Sequence, residues 1–316
     1  MQTNFERAVF FSWHCDIKDC KFCYMSTQNT TKLARRSLAS ILAEVILIKK
    51  LGWDFGFFSG GIGAYKTPEF RELLEKVYIT YGQKFWINVG PLSKEELLAF
   101  QPFVKGVVGS IETVNEEVHK EVCPSKPLQP YLEMFKEAKK LGLQNAATII
   151  VGLGETISDF PKLSALIKKY GITKLHIYCL NPQKGTIFAG KPAPAAEYQA
   201  EWIRLTRQVF PNIDIQAGIW YDKIERLPLL LNSGANTFSK YPAIRRFGSY
   251  SKKLEKTLAE AGIFLAGNLT KLPETALEEH LPFDPNLKTE IKNHLAAYLN
   301  KMSKQANSGV ISISIY

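Results

Sequence analysis

The sequence predicts an α/β protein, a (β/α)8 TIM-type barrel with a C-terminal helical appendage. Three observations carry this expectation. Short runs rich in Val, Ile, Phe and Trp alternate with amphipathic stretches, the pattern of repeated βα units around a parallel sheet. The runs number eight, the count that closes such a barrel. The chain has 316 residues, 46% of them hydrophobic, which suffices for a barrel of about 250 residues plus an added segment.

The expected strands cover residues 8–13, 55–59, 85–89, 106–112, 146–151, 174–180, 213–219 and a short 235–238. Between them, residues 38–51, 68–78, 94–100, 130–143, 157–169 and 196–209 repeat apolar side chains at three- and four-residue intervals, as helices do. Beyond Phe247 the pattern is helical again, over 251–261 and 286–305, with Pro273, Pro282 and Pro285 marking a linker. The expected division is a barrel over 1–248 and a C-terminal helical appendage and tail over 249–316. The last residues, 309–316, alternate Val or Ile with Ser and read as an edge strand or a loose tail.

Composition narrows the function. No run of about 18 apolar residues is long enough to cross a membrane, and the first seven residues are polar and of mixed charge, unlike a signal peptide. A soluble, cytoplasmic protein is expected. The net charge of +10 is spread over short basic groups such as Lys49-Lys50 and Arg245-Arg246, which reads as solvated helix faces and disfavours nucleic acid as a partner. The five cysteines are Cys15, Cys20, Cys23, Cys123 and Cys179. An odd number with three inside nine residues is a ligand set rather than a disulfide framework.

Those three lie just past the first strand, in Trp13-His14-Cys15-Asp16-Ile17-Lys18-Asp19-Cys20-Lys21-Phe22-Cys23-Tyr24. Three thiolates on one short loop can bind three irons of a [4Fe–4S] cube and leave the fourth iron open for chemistry, whereas a cube that only carries electrons normally takes four cysteines. The alternative is a zinc knuckle completed by His14 or a distant Cys, in a binding or electron-transfer protein without radical chemistry. Cys123 and Cys179 read as packed small hydrophobes.

A cysteine loop after the first barrel strand, with Phe22 immediately before the last cysteine, resembles the radical S-adenosylmethionine (SAM) superfamily. The usual spacing there is Cys-x3-Cys-x2-Cys, and one extra residue stands between the first two cysteines here. Further segments resemble the biotin synthase-like branch. They are Ser59-Gly60-Gly61 after the second strand, Glu112-Thr113-Val114-Asn115 at the fourth, Thr148-Ile149-Ile150-Val151-Gly152-Leu153-Gly154-Glu155 at the fifth and Asn181-Pro182-Gln183-Lys184-Gly185-Thr186 after the sixth. The resemblance implies a [4Fe–4S] cluster on Cys15, Cys20 and Cys23, whose open iron chelates SAM and whose reduction cleaves it to methionine and a 5′-deoxyadenosyl radical. It also implies a cofactor-binding set of Phe22, Tyr24, Ser59, Gly60, Gly61, Glu112, Lys126, Ile150, Gly152 and Asn181. Phe22 and Ile150 would flank adenine, Gly60 and Gly61 would lie near the methionine amino group, and Glu112 would meet the SAM amino or ribose groups. Lys126 would serve as a point charge for the SAM carboxylate, where a related branch has an Arg and this chain has Tyr131.

The implied partners are a small-molecule substrate and reduced ferredoxin or flavodoxin as electron donor. The apolar barrel would keep water from the radical. Asn88, Tyr178, Asn181, Gln216, Trp220 and Lys240, near predicted strand ends, are candidates to face substrate. Within the branch, the runs named above, with Phe22-Cys23-Tyr24-Met25-Ser26-Thr27-Gln28 and Ser40-Ile41-Leu42-Ala43-Glu44, are similar to HmdB (also called HcgA). That family is implicated in building the iron-guanylylpyridinol cofactor of [Fe]-hydrogenase; its members carry five residues between the first two cysteines, and this chain carries four. HydE-like or methylornithine-mutase-like chemistry is the alternative within the branch. Sulfur insertion is disfavoured, because the seventh strand, Gln216-Ala217-Gly218-Ile219-Trp220, lacks the Arg that biotin synthase uses for its second cluster.

Overall fold

The computed structural model describes residues 1–32, 34–273 and 281–307. Strand and helix alternate through most of the chain: β1 (Gln2–Phe10), α1 (Leu38–Lys50), β2 (Asp54–Ser59), α2 (Thr67–Tyr81), β3 (Phe85–Asn88), α3 (Lys94–Phe100), β4 (Val104–Glu112), then α4 (Glu116–Val122) and α5 (Gln129–Lys140) in succession. There follow β5 (Gln144–Val151), α6 (Phe160–Tyr170), β6 (Ile172–Cys179), α7 (Ala196–Val209), β7 (Asp214–Gly218), α8 (Leu227–Asn232) and β8 (Thr237–Ser239). The chain continues through α9 (Ser249–Glu260), β9 (Phe264–Ala266) and α10 (Pro285–Asn307). All pairings between these strands are parallel; each of β1 to β7 bonds its successor in sequence, and β8 returns to β1 to close the barrel. The ninth strand pairs with Gln2–Asn4, ahead of Glu6, where β2 takes up pairing with β1.

The local sequence explains most boundaries. Ser37 and Ser93 cap α1 and α3 with side-chain bonds to Ser40 N and Glu96 N, and Pro68 opens α2, which ends on left-handed Gly82. Helix α1 is apolar around nearly its whole circumference because it is buried twice, by the barrel and by α10. Tyr298 of α10 bonds Arg36 Nη2 (2.7 Å) and Ser40 Oγ (2.8 Å) at the start of α1. Ile291, Leu295 and Met302 of α10 join the same continuous core as the barrel helices.

The expected elements recur with shifted ends. The largest shift is at β1, which begins at Gln2 instead of residue 8 and ends at Phe10. Its early polar residues are paired inside the barrel: Glu6 Oε1 accepts from Lys174 Nζ at 2.6 Å, and Lys174 also holds Asp214 Oδ2 at 2.5 Å. Elements α4, α8 and β9 were not expected from the sequence. Residues 309–316, read as an edge strand or tail, lie outside the described residues. None of the described helices is long and apolar enough to cross a membrane.

Candidate active site

The segment from Phe11 to Ser37 crosses the C-terminal mouth of the barrel, where function sits in this architecture. Backbone bonds tie it to three neighbouring loops. Asp16 N donates to Ile62 O after β2 (2.9 Å), Lys21 N to Val122 O at the end of α4 (2.8 Å), and Ile187 N after β6 to Lys21 O (3.3 Å). His14 is buried, with Nε2 on Asp16 Oδ1 (2.8 Å) and Nδ1 on Thr30 O (3.2 Å), so both ring nitrogens are engaged. That hydrogen bond holds Asp16 below its usual carboxylate range.

Gly60 and Gly61 are where the loop after β2 meets the cysteine loop. A Cβ on Gly61 would stand 1.8 Å from His14 O and 2.6 Å from Cys15 Cβ, and one on Gly60 would enter the Phe11 ring. The missing side chains let two stretches of protein approach, which accounts for both glycines without invoking a ligand. Ser59 is buried beside them.

Cys20 is buried, and Cys15 and Cys23 are half-buried. Around Cys20 lies an apolar cluster of Val122, Cys123, Leu153, Leu180 and Phe188, with Phe22, Cys23 and Ile150 packed against it. Tyr24 is exposed at the rim, opening a 3-10 turn over Tyr24–Thr27. Burial pushes the Cys23 thiol up. Cys123 packs in the same cluster as Cys20, and their proximity draws the Cys20 thiol down and pushes Cys123 far up. That contact is invisible in the sequence, where Cys123 reads as a packed hydrophobe 103 positions from its partner.

At the end of β4, Glu112 adopts a left-handed backbone (φ +61°), strained for a residue with a side chain. Its Oε1 lies 2.5 Å from Lys126 Nζ, and both groups are buried. Burial alone would pull Lys126 down, but the facing carboxylate holds it above the usual lysine value. Sequence reasoning assigned Glu112 and Lys126 separate contacts; the structure joins them, with the ammonium 5.2 Å from the Tyr131 ring centroid. Opposite, Glu155 accepts from Gly152 N (2.6 Å) and Leu153 N (2.9 Å), fixing the loop after β5 on which Ile150 and Gly152 stand. Gly152 has φ +98° and leaves room for Pro194. Asn181 accepts from Lys223 Nζ through Oδ1 (2.8 Å).

Of the candidates to face substrate, two are engaged inside the barrel. Tyr178 OH donates to Gln216 Oε1 (2.7 Å), which also accepts from Ser239 Oγ (2.7 Å), while Gln216 Nε2 donates to Glu6. Asn88 accepts from Ser110 (3.1 Å), and Trp220 is half-buried. Lys240 follows β8 with its ammonium 4.8 Å from the Tyr178 ring centroid.

The donor chemistry fits an iron–sulfur cube. Three thiols share one loop, two of them, Cys20 and Cys23, in an apolar cluster, His14 has no free ring nitrogen for zinc, and among the described residues no three His, Cys, Asp or Glu side chains converge on a single-ion site.

Comparison with known proteins agrees with this geometry. The model of the radical SAM superfamily matches residues 14–167. A protein of Methanocaldococcus jannaschii, MJ0597, is 38% identical over 294 residues, 91% of this chain and 81% of that protein. A biotin synthase of Methanococcus maripaludis is 29% identical over 175 residues, so the match spans only about half of each chain, 54% of this one and 53% of that one. Among solved structures, methylornithine synthase (PylB) has a TM-score of 0.66 at 21% identity, covering 75% of this chain and 72% of that one. The FeFe-hydrogenase maturase HydG from Carboxydothermus hydrogenoformans has 0.67 at 15%, covering 96% and 77%. At these identities the two structures establish likeness of fold. With a cysteine loop across the barrel mouth and a superfamily match that begins at that loop, the chain belongs to the radical SAM superfamily, in its biotin synthase-like branch, as a SAM-dependent iron–sulfur enzyme.

Proposed function

We propose that this enzyme acts on a small-molecule substrate in the assembly of a metal cofactor, with an HmdB-like role in making the iron-guanylylpyridinol cofactor of [Fe]-hydrogenase. The pathway reading rests on the sequence runs similar to that family. The observation that carries the site assignment is the cysteine loop bound to the loops after β2, β4 and β6, which brings its thiols to the same mouth as the Glu112–Lys126 pair. Cys15, Cys20 and Cys23 would hold the [4Fe–4S] cluster. With SAM bound and an electron delivered by reduced ferredoxin or flavodoxin, that group would supply reductive cleavage of the SAM carbon–sulfur bond to methionine and a 5′-deoxyadenosyl radical able to abstract hydrogen from substrate.

The chain's own groups bind, orient and exclude water. Glu112 and Lys126 offer a carboxylate and an ammonium side by side, the complement of an amino acid's ammonium and carboxylate. Phe22, Ile150 and Leu153 present an apolar wall beside Cys20 for a flat base. Glu155 keeps the loop carrying Gly152 in one conformation, and Asn181, Ser59 and Tyr24 complete the rim. The buried interior behind them, with Phe57, Trp86 and Val108 in one layer, excludes solvent from the reacting centre.

Anaerobic reconstitution with iron and sulfide tests the cluster assignment: the spectroscopic signal of a [4Fe–4S] centre should change when SAM is added, and tightly bound zinc with no response to SAM would overturn it. The pathway reading is tested in cell extract with reductant and SAM, by following which metabolite disappears as 5′-deoxyadenosine forms. Consumption of a pyridinol precursor is expected, and consumption of an unrelated metabolite would replace the HmdB-like reading.

A further inference from the structure

We infer that Lys240 is the anchor for an anionic group, a carboxylate or phosphate, on the small-molecule substrate, a deepening that rests on the reading of the barrel mouth as the active site. Lys240 is the first residue past β8 and has a left-handed backbone, φ +67°. Only three described residues other than glycine have positive φ, and two of them, Glu112 and Lys240, end barrel strands at the mouth. Such strain persists where surrounding structure holds it and gathers at binding sites. The ammonium lies over the ring of Tyr178 on β6, 4.8 Å from its centroid, and 5.7 Å from that of Phe10 at the end of β1. The side chain therefore reaches inward over the barrel.

This lysine lacks a carboxylate, whereas two other cations of the mouth are provided for: Lys126 by Glu112 at 2.5 Å, and Lys223 by Asn181 at 2.8 Å and Asp222 at 3.6 Å. Among the described residues Lys240 has aromatic faces and no acidic partner. Lys240 is half-buried; its aromatic faces attract the cation but replace its hydration only in part, and an anion meeting the ammonium would supply a charge-assisted partner. Burial draws Lys240 below its ordinary value, opposed by the charges of Cys23 and Glu112, and its contacts with Phe10 and Tyr178 place the ammonium over the ends of β1 and β6. A substrate held there by its anionic end would have its remaining atoms beside the proposed cofactor site.

The test uses the full chain, as wild type, Lys240→Met and Lys240→Arg, with malonate and inorganic phosphate as probes and sodium chloride at matched ionic strength as control. Thermal unfolding without a probe should leave Lys240→Met about as stable as wild type, since the lysine has no acidic partner to lose and methionine can still pack on Tyr178 and Phe10. A clear fall would mean that the ammonium is already paired within the protein and would overturn the proposal. Malonate or phosphate should stabilise wild type and Lys240→Arg, with apparent affinity about tenfold or more weaker in Lys240→Met. The better probe separates carboxylate from phosphate recognition, and equal responses in all three proteins would overturn the assignment. Equilibrium dialysis of SAM against the reconstituted proteins should give the same affinity with and without the lysine. A loss confined to Lys240→Met would assign the residue to SAM and overturn its substrate role. Failure of wild type to bind SAM would count against the proposed function and leave the anion result standing.

Discussion

The two ends of the barrel hold their charged groups differently. At the N-terminal end, Glu6 takes Lys174, Gln216 and Thr237, and Lys174 takes Asp214 as well, so every group in the cluster has a partner supplied by another strand. At the C-terminal end Glu112 and Lys126 face each other on a strained turn beside the cysteine loop, and among the described residues Lys240 has no acid. The first arrangement fastens strands together. The second sets charge on strand ends and loops at the mouth where, on the proposed reading, ligands bind, and it leaves Lys240 for one of them.

The strongest way to break this contrast is at the mouth. Cys20→Ala should abolish the intact cluster and with it 5′-deoxyadenosine formation, while circular dichroism and thermal unfolding of the unloaded chain change little. Normal SAM cleavage by the variant would mean that the ligand set is wrong. Cys123→Ala provides the comparison, because it removes the thiol packed beside Cys20 and leaves the loop its three thiols; it should still load iron.

At the other end the largest effect is on stability. Lys174→Met leaves Glu6 and Asp214 without their shared cation and should cost about 3–5 kcal/mol by urea unfolding, as breaking buried ion pairs does. Burial alone would lower this lysine's pKa, but Glu6 and Asp214 outweigh it and the folded value lies above the ordinary 10.5. The stabilisation is therefore fully present below the unfolded value and is lost as pH rises through the folded one. The gap between wild type and Lys174→Met should stay constant from neutral pH to about pH 10 and shrink only in stronger alkali. A gap that closes between pH 6 and 8 would show that another group governs the cluster.

A smaller effect at the mouth tests what the paired glycines are for. Gly61→Ala inserts a methyl 1.8 Å from His14 O, a backbone atom that cannot swing aside. The overpacking should cost about 1–3 kcal/mol and reduce iron incorporation by displacing the cysteine loop. If the variant loads iron normally but binds SAM poorly, the glycine serves the ligand directly.

How far the sequence discloses this molecule follows from the range of each interaction. The eight strands and most helices are local patterns of periodicity, caps and turns, and the cysteine loop is a local motif, so these are legible. Glu155 is legible too, since the backbone groups it fixes lie two and three residues away. The start of β1 is not, because Glu6 looks polar until Lys174, 168 residues on, is brought against it. The same holds for Cys123 beside Cys20 and for the pairing of Glu112 with Lys126. Helix α1 gave a partial signal: its apolar back face implies a second covering layer but does not say that α10 supplies it.

The finest test of the N-terminal cluster is Thr237→Val. Thr237 Oγ1 donates to Glu6 Oε1, the oxygen that also meets Lys174. Valine keeps the shape and removes one donor of three, and the remaining ammonium and amide still serve the carboxylate, so the loss should be about 1 kcal/mol. Paired with Lys174→Met, the substitution measures whether the cluster behaves as a unit. In a cooperative network the hydroxyl matters more once the lysine is gone, because Glu6 has fewer donors, and the double variant should be destabilised beyond the sum of the singles by 0.5 kcal/mol or so. Strict additivity in urea unfolding would mean that the three donors act independently. The N-terminal end would then be a set of separate hydrogen bonds, and its contrast with the mouth would rest on pairing alone.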